Sequence, residues 1–568
     1  QTRKLLRLLR VYFNQERQAI IGPDLSHRRT LIYTILTADN VRQAISKEVK
    51  VSGTDLAKVE EKALAYAQEI VSDQSYGVIR FFDTVLAWLW NRLYNGIEVN
   101  GIKQVRQIAQ SHELVYTPCH RSHIDYLLLS YVLYHNGLTP PHIAAGKNLN
   151  LPIIGLLLRR AGAFYMRRSF QGDALYREVF DEYLHQMFTR GFSVEYFIEG
   201  QRSRTGRTLP PRTGMLSMTV RSFVKNSSKP IALLPVYFGY ERVLESSSYQ
   251  SELSGKRKET ESVFDIFRIF SFFKHDFGQV TVNFGEPLPL KEFLDTAIPD
   301  WIDKEKPEIT TACNQLAQEL VTRINSTVAI KATNLVALAL LSTDRQSITE
   351  TDLKSQVELL RNIASNSGFA GCSIVDDPID ELIAEAIRII GLKRVEHAFG
   401  TMISAEPNQA IGMTYNANNI AHIYALPSLI CRYIRSRKQL SANELNRYIV
   451  KLYPYVQSEM FLPWPEDELE QLIDQITQCL AALDIIQTDT AIRAPAPESI
   501  AYNSLTQLGN MTAATIERFY IVISLLQTRS ELSQRELETA AAAIAAQLSA
   551  LYGINSPDFF EKSLFSSF

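Results

Sequence analysis

The sequence of 568 residues has little of what marks several common classes of protein. Its five cysteines are scattered and none forms a C-x-x-C pair, so neither a cysteine metal site nor a disulfide framework is predicted, and a reducing compartment is favoured. No run of about eighteen apolar residues occurs, which argues against a transmembrane helix. The net charge of −2 gives the molecule as a whole no reason to bind nucleic acid.

Signal-peptide patterns, internal repeats and low-complexity tracts are also missing, which excludes repeat and compositionally biased architectures. The chain opens with Gln1 rather than methionine and stops abruptly at Phe568, so we expect further sequence beyond both ends. What remains is the composition of an ordinary globular protein, 46% hydrophobic and 21% charged. Its length suits roughly two to four domains with a sizeable core.

The most informative feature is His120, which is followed five positions later by Asp125. The apolar run Leu114–Thr117 predicts a strand before this pair, and Tyr126–Tyr134 predicts a helix after it. Ser122 with Asp125 fits the S-x-x-D pattern of a helix start. Such a turn can place a carboxylate beside an imidazole, where it fixes the tautomer and stabilises the imidazolium. The pattern therefore favours His120 as a general base for a hydroxyl group.

Other interpretations of this turn stay open on spacing alone. Asp125 can be no more than the acidic partner of a capping box, with His120 and His123 as polar turn residues. A zinc site at the two histidines lacks a third ligand in the sequence. Cys119 as a nucleophile is disfavoured, because neighbours on an extended turn tend to point apart. The turn amides around Arg121–His123 are candidate donors to an oxyanion.

Arginines follow the next predicted strand, Ser193–Ile198. Four of them lie within eleven residues, interleaved with glycine and hydroxyl side chains, at positions Arg202, Arg204, Arg207 and Arg212. Guanidinium groups bind phosphate bidentately, and glycines let backbone N–H groups approach it. The pattern favours a phosphate site, and a solvated basic loop or a patch for anionic lipid or nucleic acid is the alternative.

Two more apolar segments resemble strands of the same sheet. Gly162–Arg168 delivers two arginines at its carboxyl end. Pro230–Phe238 is a continuous apolar run typical of a central strand, although Pro235 inside it indicates an edge, a bulge or a strand end. In open α/β sheets, sites collect at the carboxyl ends of the strands. The sequence therefore predicts one site built from three strand ends.

The segments His120–Asp125, Gly162–Arg168, Phe197–Arg204 and Pro230–Pro235 resemble, in that order, the four sequence blocks of the glycerolipid acyltransferases. The longer stretches around the first and third blocks are similar to the bacterial membrane glycerol-3-phosphate acyltransferases, and the likeness extends over nearly the whole chain. The resemblance implies transfer of a fatty acyl group from an acyl-CoA or acyl carrier protein thioester to the sn-1 hydroxyl of glycerol-3-phosphate. The product would be lysophosphatidic acid, in the first step of phospholipid synthesis.

The resemblance also implies roles for individual residues. His120 would be the general base on the 1-hydroxyl and Asp125 would orient it, with no covalent acyl-enzyme, no metal and no cofactor beyond the thioester co-substrate. The glycerol-3-phosphate site would be formed by Arg168, Glu199, Gly200, Arg202, Ser203 and Arg204, and Pro235 would shape the pocket or the acyl site. An acceptor such as dihydroxyacetone phosphate or lysophosphatidate, a non-catalytic lipid-binding scaffold, and a metal-dependent phosphohydrolase remain alternatives. The sequence does not distinguish between acyl-CoA and acyl carrier protein as the donor, and it does not indicate the oligomeric state.

The predicted fold is α/β, with an acyltransferase α/β sandwich flanked by mainly helical regions. Residues 1–96 are predicted helical, 97–330 alternate strands and helices and form the catalytic domain, and 331–568 return to helical periodicity. A peripheral protein on the cytoplasmic face of the bacterial inner membrane is expected. Its candidate contacts are the aromatic-rich Val263–Lys274, the apolar Leu151–Arg160 and the basic Arg3–Arg10, with core packing as the alternative.

Overall fold

The computed structural model describes residues 28–170, 172–226, 229–253, 276–298, 300–301, 306–343, 345–369, 371–398, 400–437, 439–489, 491–529, 531–552 and 565. The chain divides into two compact units. The first comprises Gln1–Gln201, Pro211–Phe238 and Val282–Val321, and the second Arg202–Pro210, Gly239–Thr281 and Thr322–Phe568. The domain boundaries at residues 96 and 330 rest on the sequence and stay a prediction.

A mixed sheet forms the centre of the first unit. Eight strands take part, in the order β1-β7-β6-β2-β5-β3-β4 with β8 beside β6. Their bounds are β1 (Ile97–Asn100), β2 (Glu113–Pro118), β3 (His142–Gly146), β4 (Ala163–Met166), β5 (Val194–Glu195), β6 (Ile231–Tyr240), β7 (Val280–Phe284) and β8 (Leu288–Pro289). The pairings among β6, β2, β5, β3 and β4 are parallel. All ten residues of β6 are buried, as expected for a central strand covered on both faces.

Helices precede the first strand and fill connections between the later ones. Those before residue 239 are α1 (Arg28–Thr37), α2 (Asp39–Ser52), α3 (Leu56–Ile70), α4 (Tyr76–Leu93), α5 (Ile102–Ile108), α6 (Asp125–His135), α7 (Ile154–Arg160), α8 (Ala174–Thr189) and α9 (Thr213–Lys225). The predicted α/β core with helical flanks is confirmed. One local prediction was wrong, because α6 begins at Asp125 and Ser122 lies in the preceding turn rather than capping the helix.

The expectation that Pro235 lies on an edge, at a bulge or at a strand end was wrong, because it lies within an inner strand whose register with β2 is unbroken. Its strand β6 runs between β7 and β2, and Pro235 is in register with Thr117 of β2. The carbonyl of Pro235 accepts a hydrogen bond from Gly285, just past the end of β7. The missing N–H of the proline points to that same side, where the partner strand ends. The sheet therefore tolerates a proline in an inner strand.

The second unit is mainly helical. The helices that follow residue 239 are α10 (Ser246–Leu253), α11 (Leu290–Ala297), α12 (Lys306–Ser326), α13 (Ala332–Leu341), α14 (Glu350–Ser365), α15 (Ile379–Ile390), α16 (Pro407–Ile420), α17 (Ala425–Ser436), α18 (Ala442–Met460), α19 (Leu469–Ala482), α20 (Ile500–Asn510), α21 (Ala513–Thr528) and α22 (Gln534–Tyr552). Of these, α11 belongs to the first unit, and α12 runs from the first unit into the second.

Small sheets interrupt the region predicted as helical. A three-stranded antiparallel sheet joins β10 (Ser347–Thr349), β13 (Gly400–Ser404) and β12 (Lys393–His397), and β9 (Ala329–Ile330) pairs with β11 (Ser373–Ile374). These strands were missed because they are short, and because every residue of β12 is exposed, so that no apolar alternation marks it.

Within the part of the chain that the structure describes, no helix combines the length and apolarity needed to span a bilayer. Two candidate membrane segments, Val263–Lys274 and Arg3–Arg10, lie outside the described residues. The third, Leu151–Arg160, folds largely as α7. Its Ile153 is 76% exposed, whereas Arg159 is buried.

Candidate active site

The turn between β2 and α6 brings His120 and Asp125 together. Oδ2 of Asp125 lies 2.9 Å from Nδ1 of His120 and accepts the backbone N–H groups of Arg121 at 2.6 Å and Ser122 at 2.9 Å. The Asp125 side chain is fully buried and the His120 side chain is 17% exposed. A carboxylate at Nδ1 selects the tautomer in which Nε2 carries the lone pair. The geometry therefore suits His120 as a base acting through Nε2.

These same hydrogen bonds bear on the candidate oxyanion donors. The amides of Arg121 and Ser122 already donate to Asp125, so the expectation that they face a substrate oxyanion was wrong for both. The physical reason is that a carboxylate buried inside a turn draws the nearest N–H donors to itself.

A second strand end closes around the turn. The ring of Phe197 stacks on the His120 ring, with centroids 3.8 Å apart and planes inclined by 14°. Oε1 of Glu199 accepts the backbone N–H of His120 at 2.9 Å, and Oε2 lies 3.8 Å from the Arg121 guanidinium. Both charged side chains are almost completely buried. The structure thus joins the first and third blocks, and in it Glu199 braces the turn that carries His120.

Gly200 follows at a conformation that only glycine adopts easily. Its φ is +68°, and a Cβ atom would lie 2.8 Å from Cγ of Arg212. The amide of Arg212 donates to the carbonyl of Ile198 at 2.7 Å. The segment after β5 is therefore folded tightly back on itself beside the turn.

The two arginines after β4 differ in their surroundings. Arg167 pairs with Glu69 at 2.9 Å and Asp173 at 3.2 Å, and its guanidinium lies over the rings of Tyr66 and Tyr176. Arg168 is exposed and forms no ion pair among the described residues. Because β2, β5, β3 and β4 are parallel, Arg168 follows the same edge of the sheet as His120, three strand spacings or about 14 Å away.

Glu195, which the sequence analysis did not single out, lies beneath this site. It is in register with Tyr116 of β2 and Ile143 of β3 and is completely buried. Neither carboxyl oxygen has a hydrogen-bond partner among the described residues. Burial, with a further contribution from the charge of Asp125, raises the pKa of Glu195 well above its ordinary value. The sequence did carry a signal for this residue, because a glutamate inside a strand predicted to be buried is unusual.

Cys119 and metal chemistry were the alternatives at this turn. The Cys119 sulfur is buried and accepts the N–H of Phe238 at 3.2 Å. Burial raises the pKa of its thiol to about 12, which makes it a poor nucleophile near neutral pH. No group of three histidine, cysteine, aspartate or glutamate side chains in the described ranges is close enough to hold a metal ion.

The remaining predicted site residues, Arg202, Ser203 and Arg204, belong to the second unit. Nη1 of Arg202 donates to the Tyr249 hydroxyl at 2.9 Å and lies 3.6 Å from a Glu245 oxygen. Ser203 is completely buried. Arg204 lines a pocket of the second unit together with Glu241, Arg242, Tyr249, Gln250, Gln409 and Tyr415.

Comparison with known proteins decides the family. Residues 96–239 match the acyltransferase family, and residues 249–568 match the C-terminal region of glycerol-3-phosphate acyltransferases. The glycerol-3-phosphate acyltransferase of Pseudomonas aeruginosa PAO1 is 47% identical over the whole chain, and that of Pseudomonas fluorescens SBW25 is 46% identical over 99% of it. This chain belongs to the glycerol-3-phosphate acyltransferase family. It spans 69% and 68% of the length of those two relatives.

Membership of the glycerol-3-phosphate acyltransferase family confirms the resemblance drawn from the four sequence blocks. The acyltransferase match at residues 96–239 includes His120, Asp125 and the loop that carries Arg202 and Arg204. The solved 1-acyl-sn-glycerophosphate acyltransferase of Thermotoga maritima is 16% identical, with a TM-score of 0.25 over 56% of this chain and 95% of its own. That score adds nothing to the assignment of the fold.

Proposed function

We propose that this chain transfers a fatty acyl group from an acyl-CoA or acyl carrier protein thioester to the sn-1 hydroxyl of glycerol-3-phosphate. The observation that supports this most strongly is the contact between His120 Nδ1 and the buried carboxylate of Asp125. It orients Nε2 as a base, in a protein whose relatives are named glycerol-3-phosphate acyltransferases.

The proposed reaction needs one base and no covalent acyl-enzyme. Nε2 of His120 takes the proton of the glycerol-3-phosphate 1-hydroxyl while the oxygen of that hydroxyl forms a bond to the thioester carbonyl carbon. The tetrahedral intermediate then collapses, the C–S bond breaks, and the proton passes from His120 to the departing sulfur. Asp125 stabilises the imidazolium between these two steps. The Phe197 ring covers one face of the imidazole and limits its rotation.

Phosphate recognition is assigned to the exposed Arg168 and to Arg202 and Arg204 of the loop. Guanidinium forks on a phosphate would hold the 1-hydroxyl near His120, so that binding energy is converted into proximity. Gly200 lets the backbone turn just before the loop that begins at Arg202. Pro235 would contribute to the pocket from β6, the strand next to the one that leads to His120.

An acceptor assay tests the proposed function directly. Purified protein is given palmitoyl-CoA or palmitoyl-acyl carrier protein with glycerol-3-phosphate, dihydroxyacetone phosphate or 1-acyl lysophosphatidate. The expected result is the highest kcat/KM with glycerol-3-phosphate and a product acylated at sn-1. Preference for lysophosphatidate or dihydroxyacetone phosphate would reassign the acceptor, and no turnover with any acceptor would leave the scaffold alternative.

We also infer that the chain binds the cytoplasmic face of the inner membrane through one face of α4 and α7. Three apolar side chains of α4 recur along one exposed face, and three more are exposed at α7: Phe81, Val85, Trp88, Ile153, Leu156 and Leu157. The two helices pack against each other. Their exposed surface carries Arg80, Arg92 and Arg160, and the one acidic side chain beside it, the half-buried Asp83, lies 3.8 Å from the Arg80 guanidinium. Aromatic and apolar side chains ringed by arginines suit an anionic bilayer interface.

Flotation with vesicles of phosphatidylethanolamine and phosphatidylglycerol tests this surface. The double variant Trp88→Ser, Ile153→Ser is expected to lose most of its vesicle binding. The matched control is Tyr520→Ser, Ile500→Ser, which removes an aromatic residue and an isoleucine that are at least as exposed in the second unit, and it should float like the unaltered protein. Equal flotation of the two double variants would show that α4 and α7 do not form the membrane contact, and Val263–Lys274 would be the next segment to alter.

A further inference from the structure

The loop Arg202–Pro210 is part of the second unit, although it interrupts the sequence of the first. Arg207 of this loop is bound to the helices of the second unit: its Nη1 lies 3.1 Å from Oε1 of Glu459 at the end of α18. The same oxygen accepts from Arg518 of α21, and the hydroxyl of Thr515 accepts from both guanidinium groups. A single carboxylate therefore binds one arginine from the loop and one from the C-terminal helices.

This charge cluster is buried. Arg207 is 9% exposed, Glu459 7% and Arg518 1%. Two guanidinium groups around one carboxylate hold the loop strongly, because separating them would leave charges in a medium of low dielectric constant. The guanidinium of Arg207 is consequently committed to the protein interior, and Arg204 lines a pocket of the second unit.

Hydrogen bonds and a close approach hold the backbone on both sides of the cluster. Nδ2 of Asn418 donates to the carbonyl of Thr205 at 2.9 Å, and the hydroxyl of Thr208 donates to Oδ1 of Asn325 at 2.5 Å. Gly206 has a φ of +84°, and a Cβ atom there would lie 2.1 Å from the carbonyl oxygen of Tyr415. Only glycine lets the loop lie this close to α16.

The loop therefore has two parts with different surroundings. Arg202 and Arg204 lie at its start, against Tyr249 and the lining of the pocket. Residues 205–208 follow directly; Thr205, Arg207 and Thr208 are bonded to helices of the second unit, and Gly206 lies against Tyr415 of α16. An attachment point only one residue from Arg204 restricts the positions that its guanidinium can take.

We propose that the helical C-terminal region positions the phosphate-binding arginines, and that Asn418, Thr208 and Glu459 are positioning residues for glycerol-3-phosphate affinity. The proposal rests on the proposed function, since it assigns the phosphate to Arg202 and Arg204. A loop that is held in its bound conformation loses less freedom when the ligand binds. Releasing the loop should therefore weaken the binding of glycerol-3-phosphate and leave that of the acyl donor unchanged.

Two neighbouring asparagines of α16 supply the decisive experiment. Asn418 bonds the loop, whereas Asn419 is equally buried and donates to the carbonyl of Tyr415 in its own helix at 3.0 Å. Asn418→Ala should raise the KM for glycerol-3-phosphate about three- to tenfold, the value of one hydrogen bond. Its KM for palmitoyl-CoA should stay unchanged. Asn419→Ala should leave both KM values unchanged and match the thermal stability of Asn418→Ala.

A second, isosteric variant covers the case in which Asn418→Ala perturbs the fold. Thr208→Val keeps the shape of the side chain and removes the hydrogen bond to Asn325, and it should reproduce the selective rise in KM. Glu459→Gln should give a larger rise, because it removes the charge that holds Arg207 and Arg518.

The outcomes separate this proposal from the proposed function. If the unaltered protein does not acylate glycerol-3-phosphate, the function itself fails. If it does, and Asn418→Ala and Thr208→Val behave like Asn419→Ala, the positioning role is wrong. A parallel rise in both KM values would also overturn it, since that result indicates a general structural effect rather than control of the phosphate-binding arginines.

Discussion

The turn that carries His120 and the loop that carries Arg202 and Arg204 are built in opposite ways. In the turn, Asp125 is bound to groups three to five residues away. In the loop, Arg207 is bound to Glu459, which is 252 residues further along the chain. The contact between the proposed base and its carboxylate therefore forms within one short motif, whereas the proposed phosphate-binding loop takes its shape from the far end of the chain. The proposed acid–base pair is local in sequence, and the proposed substrate affinity depends on long-range contacts.

The largest effect is expected at the turn. His120→Ala should lower kcat by about 10²–10⁴-fold or more, because it removes the proposed base. Thermal stability should fall far less than activity, because Asp125 keeps its hydrogen bonds from the amides of Arg121 and Ser122. Cys119→Ala is the matched control at the adjacent position and should stay active, because the thiol is buried and protonated. An inactive Cys119→Ala beside an active His120→Ala would reverse the assignment.

The second unit should show a stability effect that depends on pH. Burial raises the pKa of Glu241 to about 7 from an ordinary value of 4.5. Between these two pH values the folded protein holds a proton that the unfolded chain has lost, so stability falls as the pH rises through this window. The loss is on the order of 3 kcal/mol.

Glu241→Gln should abolish that loss. The variant keeps an oxygen that can accept the N–H of Gln279, as Oε2 of Glu241 does at 2.8 Å. In urea denaturation at pH 4.5, 6 and 7.5, the free energy of unfolding of the variant should increase relative to that of the unaltered protein as the pH rises. Stability curves that run parallel across this range would show that Glu241 titrates normally.

The smallest expected effect distinguishes two neighbouring arginines of the first unit, Arg167 and Arg168. Arg168→Gln should raise the KM for glycerol-3-phosphate about tenfold or more, the value of a hydrogen bond to a charged group. Arg167→Gln should instead lower the melting temperature, because it breaks the pairs with Glu69 and Asp173. The comparison requires both KM values and both melting curves. A rise in KM for Arg167→Gln alone would exchange the two roles.

The sequence predicted those features whose signal is local. His120 and Asp125, the strand within Gly162–Arg168 and the ten-residue apolar β6 follow from periodicity and spacing. Pro235 was misplaced, because a proline signals an edge and the sequence does not show where β7 ends. The sequence did not predict a role for Glu195, because the apolar residues around it indicate only a buried strand.

Long-range contacts left no signal that spacing could reveal. Nothing near Arg207 shows that it pairs with Glu459, and a cluster of arginines looks the same whether its members bind phosphate or the protein interior. The exposed strand β12 carries no alternation of apolar residues. The role of the C-terminal region could therefore be inferred only from the contacts of the folded chain.

The central claim is that a buried carboxylate makes His120 a base, and Asp125→Asn tests it most directly. Its matched control is Asp173→Asn, another aspartate at a helix N-terminus of the same unit, which accepts the N–H of Tyr176 at 3.0 Å. With glycerol-3-phosphate and palmitoyl-CoA, kcat/KM of Asp125→Asn is predicted to fall at least about 10²-fold while Asp173→Asn stays near the unaltered value. A folded Asp125→Asn variant with ordinary activity would contradict the account.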